Sequence, residues 1–109
     1  MGVNKVMLIG NLTRDPELRY LDSGKAVASF GLAINESYKK GDEWVEKPVF
    51  VDVTVWGKNA ENSAEYLKKG RPVFVDGRLH LEQWEQDGQK RSKLSVTALH
   101  VTFLGGKSD

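Results

Sequence analysis

Every odd position from Val49 to Val55 is valine, while the even positions from 50 to 56 hold Phe50, Asp52, Thr54 and Trp56. Side chains alternate across a strand, so this spacing predicts a strand with four valines facing the core and two aromatic and two polar groups on the other side. A second run repeats the arrangement: Val73, Val75, Leu79 and Leu81 share the odd positions with Gly77, and Phe74, Asp76, Arg78, His80, Glu82 and Trp84 take the even ones. Val-rich stretches between turn signals complete five predicted strands, at Asn4–Asn11, Ala26–Ile34, Val49–Trp56, Val73–Trp84 and Arg91–Leu104, the last expected to be bent or interrupted. Asp87-Gly88, between the fourth and fifth runs, predicts a type I′ hairpin.

One segment breaks this rhythm. From Asn59 to Gly70 the spacing places Ala60, Ala64 and Leu67 on one helical face, with Asn59 as the expected cap. Lys68 and Lys69 suit the negative end of a helix dipole, Gly70 offers a left-handed stop, and Pro72 forbids continuation. Three strands, a short helix and two more strands is the element order of an all-β, five-stranded OB-fold Greek-key barrel with its helix between strands 3 and 4. The predicted domain runs over 1–106, with 107–109 a short C-terminal remnant. Fold alone assigns no function.

Composition narrows the classes. A length of 109 residues suits one domain, with a radius of gyration of roughly 13 Å if compact. There is no cysteine, hence no disulfide and no thiolate chemistry. No apolar run reaches the ~20 residues of a membrane span, and Met1-Gly2-Val3-Asn4-Lys5 does not read as a signal peptide, so the cytoplasm is expected. Sixteen basic residues against fifteen acidic give +1, so any basic footprint must be local.

The polar faces carry the candidate chemistry. Rings among polar groups suit single-stranded nucleic acid, because bases stack on them at about 1–3 kcal/mol each while Lys and Arg follow the phosphates. A protein–protein contact is equally compatible with Phe50 and Trp56, since interfaces are also enriched in aromatics. Trp84, beside the Asp87-Gly88 hairpin, is expected on a mobile arm, and Trp44 is expected to pack in a loop. Met7, Ile9 and Phe74 are apolar groups that a small barrel would expose and a symmetric assembly would cover. Asp15, Glu17, Asp52 and Asp76 lack diagnostic metal spacing, and no phosphate-loop or two-histidine motif occurs; neither catalysis nor a cofactor is expected.

Gly2-Val3-Asn4-Lys5-Val6-Met7-Leu8-Ile9-Gly10-Asn11-Leu12, then Arg14-Asp15-Pro16-Glu17-Leu18-Arg19-Tyr20, resembles the opening of bacterial-type single-stranded DNA-binding proteins. Glu36-Ser37-Tyr38, Val55-Trp56-Gly57-Lys58, Glu65-Tyr66-Leu67-Lys68-Lys69-Gly70 and Val75-Asp76-Gly77-Arg78-Leu79 continue the resemblance in order, to about residue 106. It implies a homotetramer that binds and protects single-stranded DNA, without sequence preference or catalysis, in replication, recombination and repair on the nucleoid. Its stacking aromatics fall on Tyr38, Phe50, Trp56 and Trp84, and its phosphate path on Lys5, Lys58 and Lys69, with Arg91 in the last hairpin. Asp52 and Glu82 stand where such proteins often carry basic residues, and His80 at another frequent arginine position. A small dimeric OB protein of primosome-assembly type is the alternative, separable by mass in solution. The resemblance also implies an acidic tip that docks partner proteins. Here the chain ends Gly105-Gly106-Lys107-Ser108-Asp109, so docking of replication and repair proteins through it is not expected.

Overall fold

The structure is a computed structural model that describes residues 1–105; the remnant at 107–109 lies outside the described residues, as does Gly106. Six strands and one helix follow in the order β1 (Val6–Leu12), β2 (Glu17–Tyr20), β3 (Ala26–Lys40), β4 (Glu43–Trp56), α1 (Lys58–Tyr66), β5 (Pro72–Gln86) and β6 (Gln89–Phe103). They pair as β1-β5-β6-β4-β3-β2, and β1 also meets β3 at Asn11↔Ala33 and Leu12↔Leu32, which closes a five-stranded barrel. β4 and β6 run parallel at Val53↔Val96 to Val55↔Ala98, the crossover of a Greek key. The predicted barrel is therefore present, with β2 added outside it along β3. All four residues of β2 are exposed, so no alternation marks it in the sequence. Tyr20 ties it to the helix through a 3.0 Å hydrogen bond to Glu61 Oε2.

The core is small and aliphatic around one ring: Phe30, Leu32, Val53, Val55, Val73 and Val75 are fully buried. One expectation about it needs correction. Val49, Leu79 and Leu81 keep the core-facing parity yet are exposed, because their strands have already left the barrel. β3 and β4 stay paired out to Lys40↔Glu43, and β5 and β6 out to Gln86↔Gln89, so two long arms project from the barrel mouth. The arms also explain a radius of gyration of 15.9 Å, larger than a compact chain of this length would have.

Asp87 and Gly88 both have positive φ, 53° and 77°, as the type I′ turn requires. β6 is bent as expected: the register slips at Asp76/Gly77, and Leu99 has no partner on β5. α1 begins two residues earlier than predicted, at Lys58. Its cap is Gly57, at φ 69° and ψ −140°, a conformation that only glycine adopts without strain. Asn59 does not cap; its Nδ2 donates to Leu99 O at 3.2 Å. Ala60, Ser63 and Leu67 form the buried face, with Ala64 half-buried. Leu67 already has extended backbone, so Lys68 and Lys69 lie beyond the helix, and Gly70 serves the following turn, its N–H donating to Leu12 O. Among the described residues no helix is long and apolar enough to cross a membrane.

Candidate nucleic-acid interface

Even positions of β4 point outward along an unbroken ladder with β3, so Phe50, Asp52, Thr54 and Trp56 share one outer face, as the valine alternation predicts. Trp56, at the end of β4, is 38% exposed and lies opposite Val27, which is only 3% exposed although it is outside the core cluster. The indole and Arg19, which faces Val27 from β2, therefore cover a small apolar patch on the outside of the barrel. Lys25 Nζ sits 5.3 Å from the indole centroid, within cation–π range. Two shallow hollows border the ring. One is walled by Arg19, Thr54, His80, Glu82 and Thr97, the other by Lys25, Asn59, Arg78 and Leu99. His80 and Glu82 thus belong to this face, with Arg19, Lys25 and Arg78 supplying its positive charge. Arg19 and Lys25 were not legible as site residues, because only β2 and its turn bring them beside Trp56.

Phe50 is 68% exposed and shares a hollow with Thr13, Arg14, Asp52, Lys93 and Leu94. The hydrogen bond from Lys93, with the charges of Lys93 and Arg14, holds the Asp52 carboxyl below the usual aspartate range. Trp84 is exposed opposite Arg91 on the β5–β6 arm, and both line a hollow with Lys90 and Glu85. Arg91 is therefore placed beside a ring, on the last hairpin.

Other expected residues stand apart. Tyr38 is exposed, but it pairs with Val45, and alternation along the ladder puts it on the opposite side of the arm from Phe50 and Trp56. Trp44 pairs with Lys39 on the Phe50 side and is 70% exposed, so it does not pack in a loop. Its position in an arm of mixed charge, without apolar alternation, hid this from the sequence. Lys5 is ion-paired with Asp76 at 2.6 Å, while Asn4 bonds both the N–H and the C=O of Leu79. The charge of Lys5 is thereby partly neutralised. Lys58 opens α1, two residues after Trp56, and keeps positive charge at the positive end of the helix dipole. Lys69 lies past the other end of that helix, its N–H bonded to Asp15 Oδ1 at 2.8 Å.

A different surface carries the apolar residues. Met7 faces Asp76 and Ile9 faces Phe74 across the β1–β5 ladder; Met7 and Ile9 are exposed and Phe74 is partly covered. From Val6 to Gly10, β1 pairs with β5 alone, which leaves its other edge open. Among the described residues no group of three or more His, Cys, Asp or Glu is placed to hold a metal.

A closed barrel of this topology, with a helix between β4 and β5 and rings on an outer face, is an OB-fold. The Single-strand binding protein family matches residues 3–104, and the chain belongs to that family. It is 53% identical over 106 residues to the single-stranded DNA-binding protein of Wolinella succinogenes, covering 95% of this chain and 65% of that protein. It is 48% identical over 103 residues to that of Treponema pallidum, covering 94% and 58%. The chain thus spans about three-fifths of the length of the curated relatives it matches. Among solved structures, a Plasmodium falciparum SSB in complex with single-stranded DNA superposes with a TM-score of 0.87 at 30% identity, covering 96% of this chain and 97% of that one. A deletion mutant of the single-stranded DNA-binding protein from Thermus aquaticus gives 0.86 at 37% identity, covering 97% and 52%.

Proposed function

We propose that this chain binds single-stranded DNA without sequence preference, stacking bases on Phe50, Trp56 and Trp84 and holding phosphates with Lys58, Arg91 and the cations around Trp56. The carrying observation is that Phe50 and Trp56 expose their rings on the same outer face, while the other side of that strand is packed in the barrel at Val53 and Val55. Rings held on a fixed ladder are preorganised, so little ordering cost is set against each stack. A duplex conceals its base faces and offers these rings nothing. Tyr38, Lys5 and Lys69 would meet only a strand that continues round the arm or the end of the barrel. Trp44 joins the site as a further platform at the arm tip.

The activity is binding and protection of exposed single strands in replication, recombination and repair, with no cofactor and no bond made or broken. The cellular place that fits is the cytoplasm, on DNA. A homotetramer is supported by the open β1 edge, with Met7 and Ile9 outward and Phe74 beside them. A free strand edge and an apolar patch are both removed when identical copies close on one another.

Titration with oligo-dT, a mixed single strand and a duplex at several salt concentrations tests the binding. Both single strands should bind tightly, the duplex weakly, and log affinity should fall linearly with log salt by about 0.7 for each phosphate neutralised. Equal affinity for the duplex would refute the proposal. Light scattering at micromolar concentration should give the mass of four chains; a monomer mass would refute the assembly.

A further inference from the structure

Asp52 stands in the middle of the outer face and draws together cations from distant parts of the chain. Lys93 Nζ, from β6, donates to Oδ2, and an Arg14 guanidinium nitrogen, from the β1–β2 connection, lies 3.6 Å from Oδ1. Among the described residues no other carboxylate pairs with two cations. The register leaves room for the cluster. Gly31 lies directly opposite Asp52 on β3, and the N–H of Thr13 donates to Gly31 O at 2.9 Å, which lays the Thr13-Arg14 segment across that position. A Cβ on Gly31 would collide with Thr13 Oγ1 and come within 2.7 Å of the Arg14 guanidinium. Glycine is therefore what lets Arg14 reach the carboxylate, and Phe50 walls the same hollow.

The cluster is accessible. The side chains of Arg14, Asp52 and Lys93 are 44%, 37% and 48% exposed, so water and salt screen the pairs and their net contribution to folding is small. A phosphodiester presents the same kind of anionic oxygens to a guanidinium and an ammonium as a carboxylate does. A base stacked on Phe50 would carry its backbone past these three groups.

We propose that Arg14 and Lys93 form a phosphate site that Asp52 occupies in the free protein. The carboxylate is an internal competitor, displaced when a strand stacks on Phe50. This rests on the single-strand reading of the same face. Binding there exchanges one anion for another, so the two cations release fewer solution counterions than free ones would, and Asp52 holds both the affinity and the salt dependence down.

Asp52→Asn keeps the shape and removes the competing charge. In oligo-dT titrations of the full chain across a salt series, it should bind about three- to tenfold more tightly than the parent at low salt. Its slope should steepen by about 0.7 for each phosphate newly neutralised. Adding Arg14→Gln and Lys93→Gln to Asp52→Asn should abolish both gains, with melting curves showing each variant folded. If the parent binds oligo-dT but Asp52→Asn matches it in affinity and slope, the competitor role is overturned and the single-strand reading stands. If the gain persists in the triple variant, it does not arise from Arg14 and Lys93, and the site there is overturned. A parent that fails to bind oligo-dT overturns both readings.

Discussion

Phe30→Ala is expected to lower the folding stability by about 3–5 kcal/mol. Phe30 is fully buried and is the largest side chain so enclosed, at the centre of a barrel otherwise lined by Ala, Val and Leu. Its neighbours on β3 and β4 sit on continuous ladders, with Phe30 paired to Val53, so the backbone cannot close over the space a lost ring leaves. The cost combines lost burial with a persistent cavity, against a total that for a domain of this kind is about 5–15 kcal/mol. Urea unfolding of parent and variant measures it from the shift in midpoint. A loss under about 1 kcal/mol would mean that the barrel interior rearranges around the gap and that Phe30 is not its keystone. At temperatures where the variant remains folded, its affinity for oligo-dT should be close to the parent's, because Phe30 faces away from the outer rings.

Trp56→Ala and Phe50→Ala should each weaken oligo-dT binding by about 1–3 kcal/mol, a loss of roughly 5- to 150-fold. The structure separates their side effects on folding. Phe50 is 68% exposed and its removal should change stability by no more than about 0.5 kcal/mol. Trp56 covers Val27, so its removal also bares an apolar patch and should lower the melting temperature measurably. Trp84→Ala should cost less in binding than either. Trp84 stands on an arm beyond the barrel, where part of the stacking energy is consumed in holding the arm against the strand.

The barrel was legible in the sequence wherever a strand has one dry side. Val49 to Val55 and Val73 to Val75 announce their pleat by alternation, and Phe50 and Trp56 follow onto a shared outer face without any knowledge of the fold. Alternation reports the side, however, not how far the core extends. Leu79 and Leu81 keep perfect parity and still stand in solvent, because the packed interior stops where the β5–β6 arm leaves the barrel. The outer parts of both arms, such as Lys39 to Trp44, have no apolar face; they are held extended by main-chain pairing, which spacing does not record. β2 was invisible for the same reason. The helix start turned on the backbone of Gly57, not on the side chain of Asn59, which looks like a cap and instead reaches across to β6.

The site divides along similar lines. A ring on a strand declares its face, so Phe50, Trp56 and Trp84 were accessible to sequence reasoning. Groups gathered from separate segments were not: Lys25 and Arg19 beside Trp56, or Arg14 and Lys93 at Asp52, meet only after closure of the sheet. Tyr38 came from the resemblance and not from alternation; its register with Val45 puts it on the reverse of the arm from Phe50.

The most direct measurement is an oligo-dT titration of Phe50→Ala beside the parent, with melting curves on the same samples. If an exposed, preorganised ring on the outer face is a base-stacking platform, affinity falls at least about fivefold while the melting temperature stays within a degree or two of the parent's. Unchanged affinity with the fold intact would contradict that claim.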